Sequence, residues 1–184
     1  MTKIRKSLVL SIAIMLFTVV GLNAASAASS DQIEQTLEQK IFKKILTMTY
    51  YGVFDNIGFE IDGDTVILTG KVYTALNRKH AEKRVSKIEG VSNVINNIEI
   101  LPPSRFDDRI RRSTLRSFAN TGGLYRYLIG PTPSVRIIVD RGHLTLEGFV
   151  SSKGDIRLAN ILAQGVPGVF TVTNNLKLAD NMKY

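Results

Sequence analysis

The sequence predicts an α+β chain made of two tandem αββαβ units, each a three-stranded mixed sheet with two helices packed on it. Three observations carry this reading. Ile61 to Ile100 lies over Val139 to Leu178 at a constant offset of 78 residues, without a gap and with 10 identities in 40 positions. An unbroken internal match of that length marks a duplicated unit. The kept residues are Asp62/Asp140, Leu68/Leu146, Gly70/Gly148, Val72/Val150, Ala81/Ala159, Gly90-Val91/Gly168-Val169, Val94/Val172 and Asn96-Asn97/Asn174-Asn175. They are residues of turns and cores, with one ionisable pair among them, so the duplication preserves a shape. Finally, each copy passes from a helical apolar period to strand-like alternation and back.

The elements follow in order. Asp31 and Glu34 form a capping box, Asp at the N-cap and Glu at N3. Ile33, Leu37, Ile41 and Ile45 then recur every four residues, with Phe42 and Met48 beside them, which predicts a helix ending at Tyr50-Tyr51-Gly52. Strands are expected at Ile57 to Asp62 and Thr65 to Tyr73, turned at Asp62-Gly63, where Gly accepts the positive φ of a tight hairpin. A helix from about Leu76 to Ile88 stops at Glu89-Gly90. A last strand, Val91 to Leu101, carries Val94, Ile98 and Ile100 on its apolar side. Pro102-Pro103-Ser104 is a stiff joint. The second copy has a helix from Arg105 to about Ala119, strands at Ser134 to Asp140 and His143 to Val150 around an Arg141-Gly142 hairpin, a helix from about Gly154 to Gln164, and a strand from Val169 to Leu178. The copies differ most between first helix and first strand. There the second copy has Asn120-Thr121-Gly122-Gly123, then Leu124 to Ile129, then Gly130-Pro131-Thr132-Pro133, an aromatic segment fenced by glycine and proline. It reads as a loop tucked onto its own core or as a protruding contact element.

Residues 1–27 read as a cleaved secretory signal. Lys3, Arg5 and Lys6 precede an apolar run of about 13 residues, Leu8 to Val20, too short for a comfortable membrane span, and Ala25-Ser26-Ala27 fits small-x-small cleavage. The expected organisation is a signal at 1–27, a domain at 28–101, a linker at 102–104 and a domain at 105–184. The sequence has no cysteine, which excludes disulfides, thiolate metal sites and lipidation at a cysteine.

Charge divides unevenly. Residues 28–101 carry 9 Lys+Arg against 10 Asp+Glu, and residues 102–184 carry 12 against 6, nine of the twelve being Arg. Arg pairs bidentately with planar oxyanions, so the bias points to phosphate or carboxylate partners. Catalytic chemistry has little to stand on. His80 and His143 lie outside the shared scaffold, and no metalloprotease, nucleophile-elbow or phosphate-loop motif occurs. Asp62 and Asp140 read as turn residues. One Asn of each pair is expected to tie down neighbouring backbone while the other faces water. No catalytic residue, metal site or cofactor is expected.

One constellation stands out. Arg105, Arg109, Arg112 and Arg116 are spaced 4, 3 and 4, which places them on one helical stripe. Phe106, Ile110 and Phe118 are expected to face the core, and Arg126 and Arg136 to extend the patch; the stripe reads as a solvated charged face, partly neutralised by Asp107 and Asp108, or as a contact for an anionic surface. Aligned guanidiniums repel one another, and an anionic membrane surface relieves that repulsion by about 1 kcal/mol per basic residue.

Leu68-Thr69-Gly70-Lys71-Val72 and Leu146-Glu147-Gly148-Phe149-Val150, with the closes Gly90-Val91-Ser92-Asn93-Val94-Ile95-Asn96 and Gly168-Val169-Phe170-Thr171-Val172-Thr173-Asn174, resemble the BON-domain family over nearly the whole mature chain. The resemblance implies a non-catalytic periplasmic module, associated with phospholipid binding, osmotic-stress protection and outer-membrane integrity. In some tandem members the first helix of the second copy contacts anionic phospholipid. The expected lipid-binding residues are therefore Arg105, Arg109, Arg112, Arg116 and Arg126, with Leu124, Tyr125 and Tyr127 as shallow apolar contacts. The expected partner is an anionic phospholipid surface, bound peripherally, with envelope proteins as further partners and neither nucleic acid nor a small-molecule substrate. The rival reading is a protein adaptor using the Gly122 to Pro133 loop.

Overall fold

A computed structural model describes residues 36–130 and 132–179. The signal segment and the Asp31/Glu34 cap lie outside the described residues. The first copy consists of helix α1 (residues 36–46), strands β1 (Asn56–Asp62) and β2 (Thr65–Val72), helix α2 (Ala75–Val85), and a last strand broken into β3 (Asn93–Asn96) and β4 (Glu99–Ile100). The second copy consists of α3 (Arg105–Asn120), a short 3₁₀ turn (Leu124–Tyr127), β5 (Val135–Asp140), β6 (His143–Val150), α4 (Lys153–Gln164) and β7 (Thr171–Leu178). In both copies the central strand pairs antiparallel with the strand before it and parallel with the last one. This is the expected α+β arrangement of two three-stranded mixed sheets, each carrying two helices.

The offset of 78 holds at the level of individual bonds. Ile57 pairs with Gly70 as Val135 pairs with Gly148, and Val66 with Val94 as Leu144 with Val172. Thr74 and Ser152 cap α2 and α4 by accepting from the amides of Asn77 and Asp155. Asn96 donates to the Arg78 carbonyl and accepts from Ile98, and Asn174 donates to the Ile156 carbonyl and accepts from Leu176. These amides lock each last strand to its helix, while Asn97 and Asn175 lie on the surface, as the sequence predicts. Gly70 and Gly148 sit at φ 109° and 113°, and a Cβ there would be driven into the carbonyl oxygen of Asn56 or Ser134 on the neighbouring strand. Only glycine lets the hairpin backbones approach this closely.

Some boundaries differ. Helix α1 stops at residue 46, where the Thr47 hydroxyl bonds back to the Lys43 carbonyl and competes with the helical ladder. Helix α2 ends at Val85, with Ile88 closing a tighter turn onto the Val85 carbonyl. In the broken last strand Ile98 is buried, but Ile100 is 42% exposed and Leu101 is buried instead.

The two copies are not joined by the Pro-Pro linker alone, and residues from Glu38 onward form one unit. Strand β5 is buried along both faces. Val135, Ile137 and Val139 enter the core of the second copy, whereas Arg136 and Ile138 are buried on the opposite face. Its outer edge donates from the Ile137 amide to the Val53 carbonyl at 2.7 Å. Val53 and Phe54 of the first copy pack on the second copy's core. Arg136 stacks on the Tyr51 ring at 4.4 Å and donates to the Gly52 carbonyl at 3.0 Å. Lys71 and Asp140 bridge the copies at 2.6 Å, so Asp140 is more than the turn residue its position predicts. A partly exposed pair is worth about 1 kcal/mol or less, against about 1.5–3 for a fully buried large apolar side chain. Apolar burial therefore holds the junction, and the polar bonds fix its orientation.

Two predictions follow from these contacts. Gly148→Ala should destabilise the protein by about 3 kcal/mol or more in denaturant unfolding, because the side chain meets backbone as well as positive φ. The Asp140 carboxyl is held below its ordinary value of 3.8, chiefly by the hydrogen bond from Lys71, and Lys71 is raised above 10.5 by the same bond. The carboxylate's contribution is present above its unfolded value and is lost as pH falls through the lower folded value. The lysine's contribution is present below about 10.5 and is lost as pH rises through its folded value. Asp140→Asn should thus cost up to about 1 kcal/mol at neutral pH, discounted for exposure, and close to nothing once the pH has fallen below the carboxyl's lowered folded value, as read by unfolding midpoints across pH.

Candidate functional site

Helix α3 starts where Ser104 of the linker accepts from the Asp107 amide at 3.1 Å. Ile110, Thr114 and Phe118 face inward, as do two charged residues, Asp107 and Arg111. Arg105, Arg109, Arg112 and Arg116 all lie exposed on the opposite side. The ion pairs among the described residues involve Lys71, Arg111, Arg126 and Arg141, and none includes a stripe arginine.

Asp107 and Asp108 form no ion pair with the stripe, because both carboxylates take other partners. Asp107 accepts from the amides of Arg141 and Gly142 at 3.0 and 2.8 Å. It thereby holds the β5–β6 turn, where Arg141 and Gly142 both adopt positive φ. Asp108 accepts from Arg111 at 2.7 Å and from the Tyr73 hydroxyl at 3.2 Å. Arg111, which the stripe does not include, is buried, donates to the Val139 carbonyl and lies over the Tyr73 ring at 5.1 Å. The four exposed arginines therefore have no ion-pair partner among the described residues.

Phe106 corrects its expectation. It is 41% exposed and rests against Phe170, itself 69% exposed, with ring centroids 5.8 Å apart. The Phe170 amide donates to the Gly142 carbonyl, bringing the turn before β7 alongside the hairpin that Asp107 holds. The result is an open apolar ridge beside Arg105 and one turn from Arg109. Phe170 replaces Ser92 of the first copy; a polar scaffold position turned aromatic was the available signal, and the periodicity reading passed over it.

The loop residues divide. Leu124 is buried in the second core, so it is no surface contact. Tyr127 is also buried, its hydroxyl donating to Asp155 at 2.9 Å and accepting from the Ser151 amide at 2.9 Å. Tyr125 alone of the three stays outside, at 53% exposure. Arg126 lies over the Tyr127 ring and bonds Asp155 at 3.0 Å, so its charge is already answered. The Asp155 carboxyl is held below its ordinary range, first by the Ser152 hydroxyl and further by Tyr127 and Arg126. Arg136 is buried at the junction and does not extend the patch. The motif residues Gly70, Gly90, Val91, Asn96, Gly148, Gly168, Val169 and Asn174 are scaffold: Gly90 and Gly168 take positive φ after the second helices. Among the described residues no group of His, Asp or Glu is placed to hold a metal, and no helix is long and apolar enough to cross a membrane.

The sequence profile of the BON domain matches residues 30–102 and 107–180. No curated protein matches the chain. Solved structures similar to the chain include two of one protein. One is of CdsD, a structural protein of the type III secretion system of Chlamydia trachomatis, 12% identical over 81% of this chain and 99% of that one, with a TM-score of 0.31. The other is the C-terminal domain of the same protein, 12% identical over 76% and 96%, with a TM-score of 0.27.

Asp107 tests how the site is built. Asp107→Ala strips two turn amides, that of Gly142 buried, of their acceptor and should cost about 2 kcal/mol in unfolding measurements, without changing the charge of the exposed stripe.

Proposed function

The chain belongs to the BON-domain family, a family of non-catalytic modules found in envelope proteins and associated with phospholipid, and from that premise we propose that it docks peripherally on anionic phospholipid through α3 of its second copy. The observation that carries the reading is the stripe of four exposed arginines with no ion pair among the described residues. Arg105, Arg109, Arg112 and Arg116 would meet phosphates, and the Phe106–Phe170 ridge would enter the boundary where headgroups give way to acyl chains. Tyr125 would contribute at the margin. The reading includes export to the periplasm with removal of residues 1–27, domains at 28–101 and 105–184 joined by 102–104, and a role in envelope integrity or osmotic tolerance.

A second reading, a protein adaptor, draws on the exposed Tyr125 and Ile129 of the Gly122 to Pro133 loop. Salt separates the two, because exposed charges are screened and an apolar interface is not.

The deciding measurement is co-sedimentation of the protein with phosphatidylglycerol or cardiolipin vesicles, against zwitterionic ones, at low and high salt. Binding should be confined to the anionic set and fall with salt. Arg109→Glu with Arg112→Glu removes two positive charges, about 2 kcal/mol and so about thirtyfold in affinity before any repulsion is added. Phe170→Ser should weaken binding at high salt more than at low salt. Binding that survives the double charge reversal would sink the proposal.

A further inference from the structure

The junction between the copies holds a half-open cavity of about 190 Å³, whose lining includes Ile45, Leu46 and Ile57 of the first copy and Pro133 and Phe149 of the second, with Tyr51 and Arg136 in its wall. Arg136 is 5% exposed and forms no ion pair among the described residues. A buried cation without a carboxylate is costly unless something answers it. What answers it here is partial. Nη1 donates to the Gly52 carbonyl and the plane stacks on Tyr51. Among the described residues, Nη2 and Nε have no acceptor. They are also absent from the side-chain atoms that are both sealed from solvent and unbonded, so they are not fully closed off. The nearby Asp55 has turned its carboxylate elsewhere, one oxygen taking the Gly52 amide and the other the Tyr73 amide. The Tyr51 hydroxyl accepts from the Ile57 amide at 3.1 Å, leaving its own proton to donate.

We propose that this seam is a binding site for a small apolar monocarboxylate, its carboxylate on the free guanidinium edge of Arg136 and the Tyr51 hydroxyl, and its hydrocarbon against Ile45, Leu46, Ile57 and Phe149. The pairing follows from the donors. A guanidinium fork matches a planar carboxylate bidentately. Most of the remaining wall is apolar, with Asn56, Thr132 and Ser134 at intervals, as in ligand sites where a few polar groups fix orientation. The bound molecule is a ligand and not a substrate, since no group beside it is placed to act on it. This site is independent of membrane docking by α3, which lies outside it.

The test is isothermal titration of the protein with octanoate below its micelle-forming range, beside octanol and octylamine. Octanoate should bind saturably, one per chain, and the alcohol and amine should not. Arg136→Met, neutral and of similar length, should weaken octanoate by about tenfold or more, the scale of a lost charge-assisted hydrogen bond. Leu46→Phe fills the cavity without touching Arg136 and should abolish binding with the melting temperature kept. If Arg136→Met does not fold, Leu46→Phe decides alone. Absence of octanoate binding, equal binding of octylamine, or binding that persists in Leu46→Phe would overturn the proposal.

Discussion

The amide of Ile137 reaches across to the carbonyl of Val53 at 2.7 Å, and that bond converts the free edge of the second sheet into an internal seam. An open edge strand is a liability that must be covered or blunted. Here the segment after α1 covers it, and once Val53 is fixed, Phe54 follows into the second core while Tyr51 and Gly52 meet Arg136. The consequence is energetic as well as geometric. The second copy's core is incomplete without side chains from the first, so the duplicated units should unfold together although each has a sheet and helices of its own. It also fixes α3 relative to the first copy, because Tyr73 touches both Asp108 and Arg111.

The same packing sorts the charges. Of the six acidic residues after Pro102, Asp107 holds a turn, Asp108 pairs with a buried arginine, Asp140 bridges to Lys71, and Asp155 takes Tyr127 and Arg126. Four carboxylates are thus spent inside the structure or at its seam. The stripe arginines share none of them. The surface of α3 is therefore more positive than the formal count of its own sequence, where two aspartates stand among five arginines, would indicate.

Much of this was legible beforehand. The repeat offset predicts both ladders, the glycine positions and the role of Asn96 and Asn174, because turns and strand registers depend on local residue types. The stripe was legible too, since helical spacing alone places four arginines on one face. What periodicity cannot show is which polar residue finds a distant partner. Arg136 and Arg126 look like further surface cations until Tyr51 and Asp155 are brought to them by the fold. Leu124 and Tyr127 sit in a stretch that the sequence leaves open between a loop tucked onto its core and a protruding element; their side chains take the first course. Phe106 failed in the other direction: its helical angle borders the buried face, but its ring ends over Gly142, Gly168 and Phe170 and stays 41% exposed.

The differences between copies have a common logic. At equivalent positions the first strand has Gly58 and Glu60 where the second copy has Arg136 and Ile138. Gly58 and Glu60 lie exposed, whereas Arg136 and Ile138 are buried at the seam. Lys71, which reaches Asp140, stands where the second copy has Phe149 in the wall of the junction cavity. Each change suits one copy to be the cover and the other to be covered. A third unit could not dock on β1 as the first copy docks on β5, because β1 offers neither the apolar surface of Ile138 nor a cation for a tyrosine face. The junction is heterologous, joining two different surfaces, and the polar outer face of β1 ends its repetition. Positions kept between the copies build the scaffold. Positions that changed build the seam, the exposed Phe170 and the cavity around Arg136, so chemistry specific to this chain is to be sought where the repeat is broken.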